Sequence, residues 1–146
     1  MESERLTQLV DCKLQILQVL HRLAQQQQEI IAGGDMTNLL KLLGAKQTVM
    51  DQLAKLERQL DPFRGQDPDA RAWRSSADRE RCQRTVQSCN QLLDEIVRLE
   101  KDAESEMVRR REDTATRLAG MHASSEARHA YAAAVPAQGA DLSTEG

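Results

Sequence analysis

From Ile30 to Leu60 the chain reads IIAGGDMTNLLKLLGAKQTVMDQLAKLERQL, and this stretch restricts the fold more than any other. Gly33 and Gly34 close one long amphipathic segment, because adjacent glycines tolerate positive φ at no steric cost. Asp35 opens the next segment by offering its carboxylate to the first free N–H groups. After Met36 apolar residues recur in rows seven apart: Met36, Leu43 and Met50, and beside them Leu42, Val49 and Leu56. A third row, Leu39, Leu53 and Leu60, is interrupted by Lys46. So short a break between two long periodic segments folds them back on each other as an antiparallel hairpin.

The first helix is expected over about residues 3–32, with Ser3 or Thr7 serving its first turn. Its inward rows are Leu9, Ile16, Leu23, Ile30 and Val10, Leu17, Ala24, Ile31. Both hold an exact seven-residue repeat, the signature of left-handed supercoiling. Gln25 to Gln28 is polar, and glutamine is a good helix former. The second helix is expected over 36–60, with Gly44 its weak point unless a neighbouring helix approaches closely there. Lys46 has two readings: its stem covers apolar surface while the ammonium reaches water, or it makes a polar contact across the bundle, with Glu100 the candidate partner.

Residues 61–77, with two prolines and a glycine, form a connection that is long for a bundle. Phe63 and Trp73 either fold back to plug the end of the bundle or stand exposed as a docking point. A third helix is expected over 78–118, capped by Ser76 or Asp78, with rows Cys82, Cys89, Ile96, Ala103 and Val86, Leu93, Met107, Met121, flanked by Leu92 and Leu99. At about 60 Å it would be longer than either partner and must overhang. The charge-rich run 101–113 is what a helix looks like once it leaves its neighbours. The Ala-, Gly- and Ser-rich remainder, 119–146, is expected as a flexible C-terminal tail. The fold expected is therefore all-α: an antiparallel up-down-up three-helix bundle or coiled coil over 1–118, with an overhanging third helix and a disordered tail. A core almost without aromatics, only 2% of the chain, suits this and argues against a sandwich or barrel.

A formal charge of −3 gives no bulk attraction to nucleic acid or to an anionic membrane. No run approaches the ~18 apolar residues of a membrane span, and the N-terminus has no signal-peptide character; the expectation is a cytoplasmic protein. Cys82 and Cys89 would lie roughly 10 Å apart along one helix, too far for a disulfide, so these two and Cys12 read as small buried apolar groups. No phosphate loop, dinucleotide fingerprint, nucleophile triad or zinc spacing is present. His21 stands alone, and His122 and His129 have no further ligands beside them. Neither a metal nor another cofactor is expected, and the chain does not read as an enzyme. The Arg79, Arg81, Arg84 and Arg109, Arg110, Arg111 clusters are balanced by adjacent acids and read as solvated faces.

With the helices placed, the chain resembles the FlgN family of flagellar type III export chaperones. The resemblance is carried by Gly34-Asp35 at the start of the second helix, by Leu39, Leu43, Lys46 and Leu53, and by the run Leu56-Glu57-Arg58. It is specific over about 30–60 and architectural over about 1–118. Tyr131, followed by Gly139, is similar to a lone tyrosine that the family carries near its end. The resemblance implies a cytoplasmic chaperone that binds the C-terminal helices of hook–filament junction proteins, prevents premature assembly and delivers them to the export gate. The client site expected is Met107, Val108, Leu118 and Met121, since methionine suits a surface that accepts more than one helix; Tyr131 is the expected gate contact. The same surfaces fit a second reading, a structural or adaptor coiled coil that self-associates weakly through the third helix without a flagellar client.

Overall fold

The computed structural model describes residues 2–67 and 71–134. Three helices follow in order: α1 (Glu2–Gly33), α2 (Met36–Arg64) and α3 (Ser76–Ala134). The chain divides into two compact units, Met1–Ser105 and a second that begins at Glu106.

Direction can be read from the partners that cross between helices. Lys13 pairs with Glu57, and Gln27 meets Lys46; one number rises as the other falls, so α1 and α2 are antiparallel. Asp11 pairs with Arg81 and His21 with Glu95; here both rise together, so the 76–105 part of α3 runs parallel to α1. The first unit is the expected up-down-up bundle.

The break at 33–35 works through one positive φ. Gly34 sits at φ 71°, its N–H donates to the Ile31 carbonyl (3.1 Å) and the Asp35 N–H to the Ile30 carbonyl (3.4 Å). These two bonds satisfy carbonyls left open at the end of α1, the pattern of a Schellman motif. Asp35 Oδ1 then accepts from the Asn38 N–H at 3.1 Å, capping α2 as its sequence position suggests. At the head of α3 the cap is Ser75 instead of Ser76 or Asp78: Ser75 Oγ accepts from the Asp78 N–H at 3.2 Å.

The core is aliphatic and runs the length of the bundle. On α1 the row Val10, Leu17, Ala24, Ile31 is buried throughout, and Ser3 extends it toward the N-terminus. Ser3 is thus a core position, its carbonyl accepting from Thr7 Oγ1 at 2.9 Å. The second buried row differs from expectation. Leu9 is buried but Ile16, Leu23 and Ile30 are only half-buried, whereas Leu6, Leu20 and Gln27, which lie between the two expected rows around the helix, are buried. The buried stripe is thus centred between those rows, and Gln27 is tolerated in it because it accepts from Lys46. On α2 the inward residues are Leu39, Leu42, Leu56 and Leu60, while Met36, Leu43 and Met50 remain exposed. On α3 the row Cys82, Cys89, Ile96, Ala103 is buried as its spacing indicates; Val86, Leu93 and Met121 of the adjacent row are exposed. A helix in a three-helix bundle buries a stripe little more than 100° wide, and each helix here carries more apolar rows than that stripe accommodates.

Two helix ends lie beyond their expected positions. α2 continues past Leu60 and through Pro62 to Arg64. Proline near the last turn removes a single intrahelical bond, and Phe63, the next residue, is buried in the core, which favours completing the turn. The Phe63 carbonyl also accepts from Gln66 N–H at 3.3 Å and from the Arg71 guanidinium. Phe63 therefore plugs the bundle end, and Trp73 packs against the same cluster; among the described residues Trp73 Nε1 finds no hydrogen-bond partner. α3 continues past Leu118 to Ala134, so the stretch 119–134 is helix where a tail was expected. Its alanines have the highest helix propensity of any residue, which compensates for the absence of tertiary packing. The rest of that expected tail, 135–146 with Gly139, lies outside the described residues.

Candidate functional site

The second unit consists, over its described residues, of the α3 segment 106–134. Its helix is built from alanine and from charged residues paired along the chain. Glu106 accepts from Arg109 Nη2 at 2.7 Å and from Arg110 Nε at 2.9 Å, and His122 Nε2 lies 3.0 Å from Glu126. The hydrogen bonds from the two arginines hold the Glu106 carboxyl below its ordinary value and in turn raise Arg109. These are i,i+3 and i,i+4 neighbours on a solvated surface, where pairing favours the helical backbone only weakly because solvent screens it.

Among the expected client residues, Met107 is half-buried, Val108 is at the edge of exposure, and Leu118 and Met121 are 60% and 68% exposed. At about 100° per residue, Met107, Leu118 and Met121 fall within roughly 60° of one another around the axis. They form one apolar stripe on a helix whose residues from Arg111 onward are all exposed. Val108 is roughly 100° away from Met107 and borders the stripe. Tyr131 is 73% exposed and roughly 120° from Met107 on the opposite side. The helix thus brings three of the four client residues together; Tyr131 lies about 80° around the axis from Met121 and about 15 Å farther along it.

In the first unit, Lys46 takes the second of its two readings. Its ammonium lies 2.6 Å from Glu100 Oε1 and donates to Gln27 Oε1 at 2.8 Å. The close approach expected at Gly44 is not made by any of the described residues, among which a Cβ there would meet nothing within 4 Å. Cys82 and Cys89 are buried as expected, but Cys12 is exposed. Burial raises both Cys82 and Cys89 above the ordinary thiol value, and Cys89 Sγ lies 3.9 Å from the Val10 carbonyl.

The sequence reading passed over two exposed apolar ridges on this unit. One is Met36, Leu40, Leu43 and Met50 on α2; the other is Val86, Leu93 and Val97 on α3. The signal was available as an excess of apolar rows, more than one helix can bury in a bundle of three.

Among the described residues, no helix is long and apolar enough to cross a membrane. No curated protein and no solved structure matches the chain. A family model described as FlgN protein matches residues 1–134, which takes in all three helices and the segment that carries the apolar stripe. The long first helix, the Gly34-Asp35 break, the leucine-rich second helix with its central Lys46 and this match lead to one assignment: the chain belongs to the FlgN family, a family of flagellar export chaperones.

Proposed function

We propose that this protein is a cytoplasmic chaperone for hook–filament junction proteins, holding their C-terminal helices until they are handed to the type III export gate. The observation that carries the reading, given the family, is the stripe of Met107, Leu118 and Met121 on a helix with no tertiary cover around its last two members. An amphipathic client helix laid along such a stripe buries its own apolar face and cannot use that face to assemble. Thioether side chains adapt to different client surfaces. Glu106, Arg109 and Arg110 supply a polar rim that sets register and on-rate more than affinity. Tyr131, on another side of the same helix, is accessible to the export gate while a client occupies the stripe.

The test is calorimetry with a synthetic C-terminal helix of a junction protein. Leu118→Asp with Met121→Asp leaves every buried residue of the first unit in place and is expected to weaken binding about tenfold or more. Truncation after Asp113 is expected to do the same while the remaining chain stays helical and soluble. Full affinity in both variants would move the client site elsewhere. A stable oligomer that takes up no junction-protein helix would favour the self-associating coiled coil instead.

A further inference from the structure

The first unit carries a pocket where the end of α2 meets α1 and α3, with a volume of about 200 Å³. That is below the roughly 300–1,000 Å³ of small-molecule sites, and suits one side chain better than a metabolite. Its floor is apolar, formed by Leu6, Leu60, Phe63 and Cys89, all buried. Its rim is cationic: Lys13, Arg64 and Arg71 line it and, among the described residues, no acidic one does, in a chain whose formal charge is −3.

The three cations differ in what they already hold. Glu57 accepts from both Lys13 and Arg64, and Arg64 also reaches Asp61 at 2.6 Å. Arg71 donates to neutral oxygens, the Phe63 carbonyl and Gln66 Oε1. A guanidinium whose partners among the described residues are neutral, at the mouth of an apolar pocket, is matched by a carboxylate placed close to an apolar side chain.

Val86 lines the same pocket and begins the exposed α3 ridge Val86, Leu93, Val97. These three fall within roughly 40° around the helix and extend about 16 Å from the pocket. A straight apolar ridge of that length fits the apolar face of another helix.

We propose that this pocket and ridge form a second docking surface, for an acidic amphipathic helix that seats one apolar side chain on Phe63 and places a neighbouring carboxylate on Arg71. The surface lies wholly within the first unit, so its occupancy is separable from client binding on 107–121.

The test is an amide-shift titration of the full-length ¹⁵N-labelled chain with three acetylated and amidated peptides, each about four turns long. One is built from Leu, Ala and Glu; the second has Lys at every Glu position; the third has Ala at every Leu position. The Glu peptide is expected to move the amides of Val86, Cys89, Asn90, Leu93 and Val97, and the other two to bind about tenfold more weakly or worse. Arg71→Gln is expected to weaken the Glu peptide about tenfold. Val86→Glu, on the exposed ridge, is expected to abolish its binding with the circular dichroism unchanged. Equal binding of the Lys peptide, unchanged binding by both variants, or shifts confined to 107–121 would each overturn the proposal.

Discussion

Lys46 Nζ lies 2.6 Å from Glu100 Oε1 while donating to Gln27 Oε1 at 2.8 Å, so one ammonium on α2 joins all three helices at a single level. The Lys46 side chain is only 12% exposed and that of Glu100 35%. An ion pair so placed specifies which residues face each other more than it adds stability, since desolvation offsets much of the Coulomb gain.

Lys46→Met is therefore expected to cost about 1–3 kcal/mol, because it leaves Gln27 and the Glu100 carboxylate without their donor. Urea denaturation measures this directly. Combining it with Glu100→Leu should recover most of the loss. A single variant within about 0.5 kcal/mol of the parent would mean that solvent screens the pair as it does on open surfaces.

Gly44→Ala is expected to stabilise the chain by about 0.5–1 kcal/mol. The position is helical, its φ is ordinary, and a Cβ would meet nothing within 4 Å. Only the backbone entropy of glycine then remains, and alanine removes it. A loss of stability in denaturant titrations would overturn this reading of the position.

Thiol labelling should distinguish the cysteines cleanly. Cys12 is exposed and is expected to react at once with an aromatic disulfide reagent, whereas Cys82 and Cys89 are buried and should react only on unfolding. Burial keeps both thiols protonated above their ordinary value of 9.0. The folded chain then keeps protons that the unfolded chain has lost, so this contribution to stability is complete below the unfolded thiol value and falls away as pH rises through the folded one. Lys13, pushed down from 10.5 by its own burial, acts in the opposite direction. Stability measured against pH in the Cys82→Ala, Cys89→Ala double variant should accordingly lose the downward slope that the parent shows above about pH 9. An identical slope in both would rule out the thiols as its source.

Tyr131→Ala should leave folding and client affinity unchanged, since the ring is 73% exposed and lies away from the Met107 stripe. It is expected to slow secretion of junction proteins, because one amphipathic ring among alanines is the natural anchor for a contact there. Normal secretion by the variant would remove the gate role.

Much of the bundle was legible in the sequence. The Gly34-Asp35 break, the direction of all three helices and the Cys82–Ala103 row follow from period and capping chemistry, which are local. The Lys46–Glu100 pair was legible as an alternative because both residues interrupt apolar rows. What was not legible depended on neighbours. Whether Leu6 or Ile16 faces inward is settled by where two other helices lie, not by the spacing within α1. Pro62 marks a stop by local chemistry, but the burial of Phe63 outweighs the single bond it removes. The continuation of α3 to Ala134 leaves no core pattern in the sequence, because alanine and paired charges sustain a helix through propensity without one. Of the candidate client residues, Met107, Leu118 and Met121 share a face that simple helical periodicity could have assigned, and Val108 falls beside it.

Every residue of α3 from Arg111 to Ala134 is exposed, so its order rests on local hydrogen bonds alone. Segments held in that way open with free energies near zero, while residues such as Leu17 and Cys89 in the core open only with the whole bundle. Amide hydrogens beyond Arg111 should therefore exchange orders of magnitude faster than those between Cys82 and Ala103. Helix can be melted and re-formed there without withdrawing anything from the stability of the first unit. A cargo seated on Leu118 and Met121 could then be let go by local fraying at its carrier's end, with no need for the carrier to unfold.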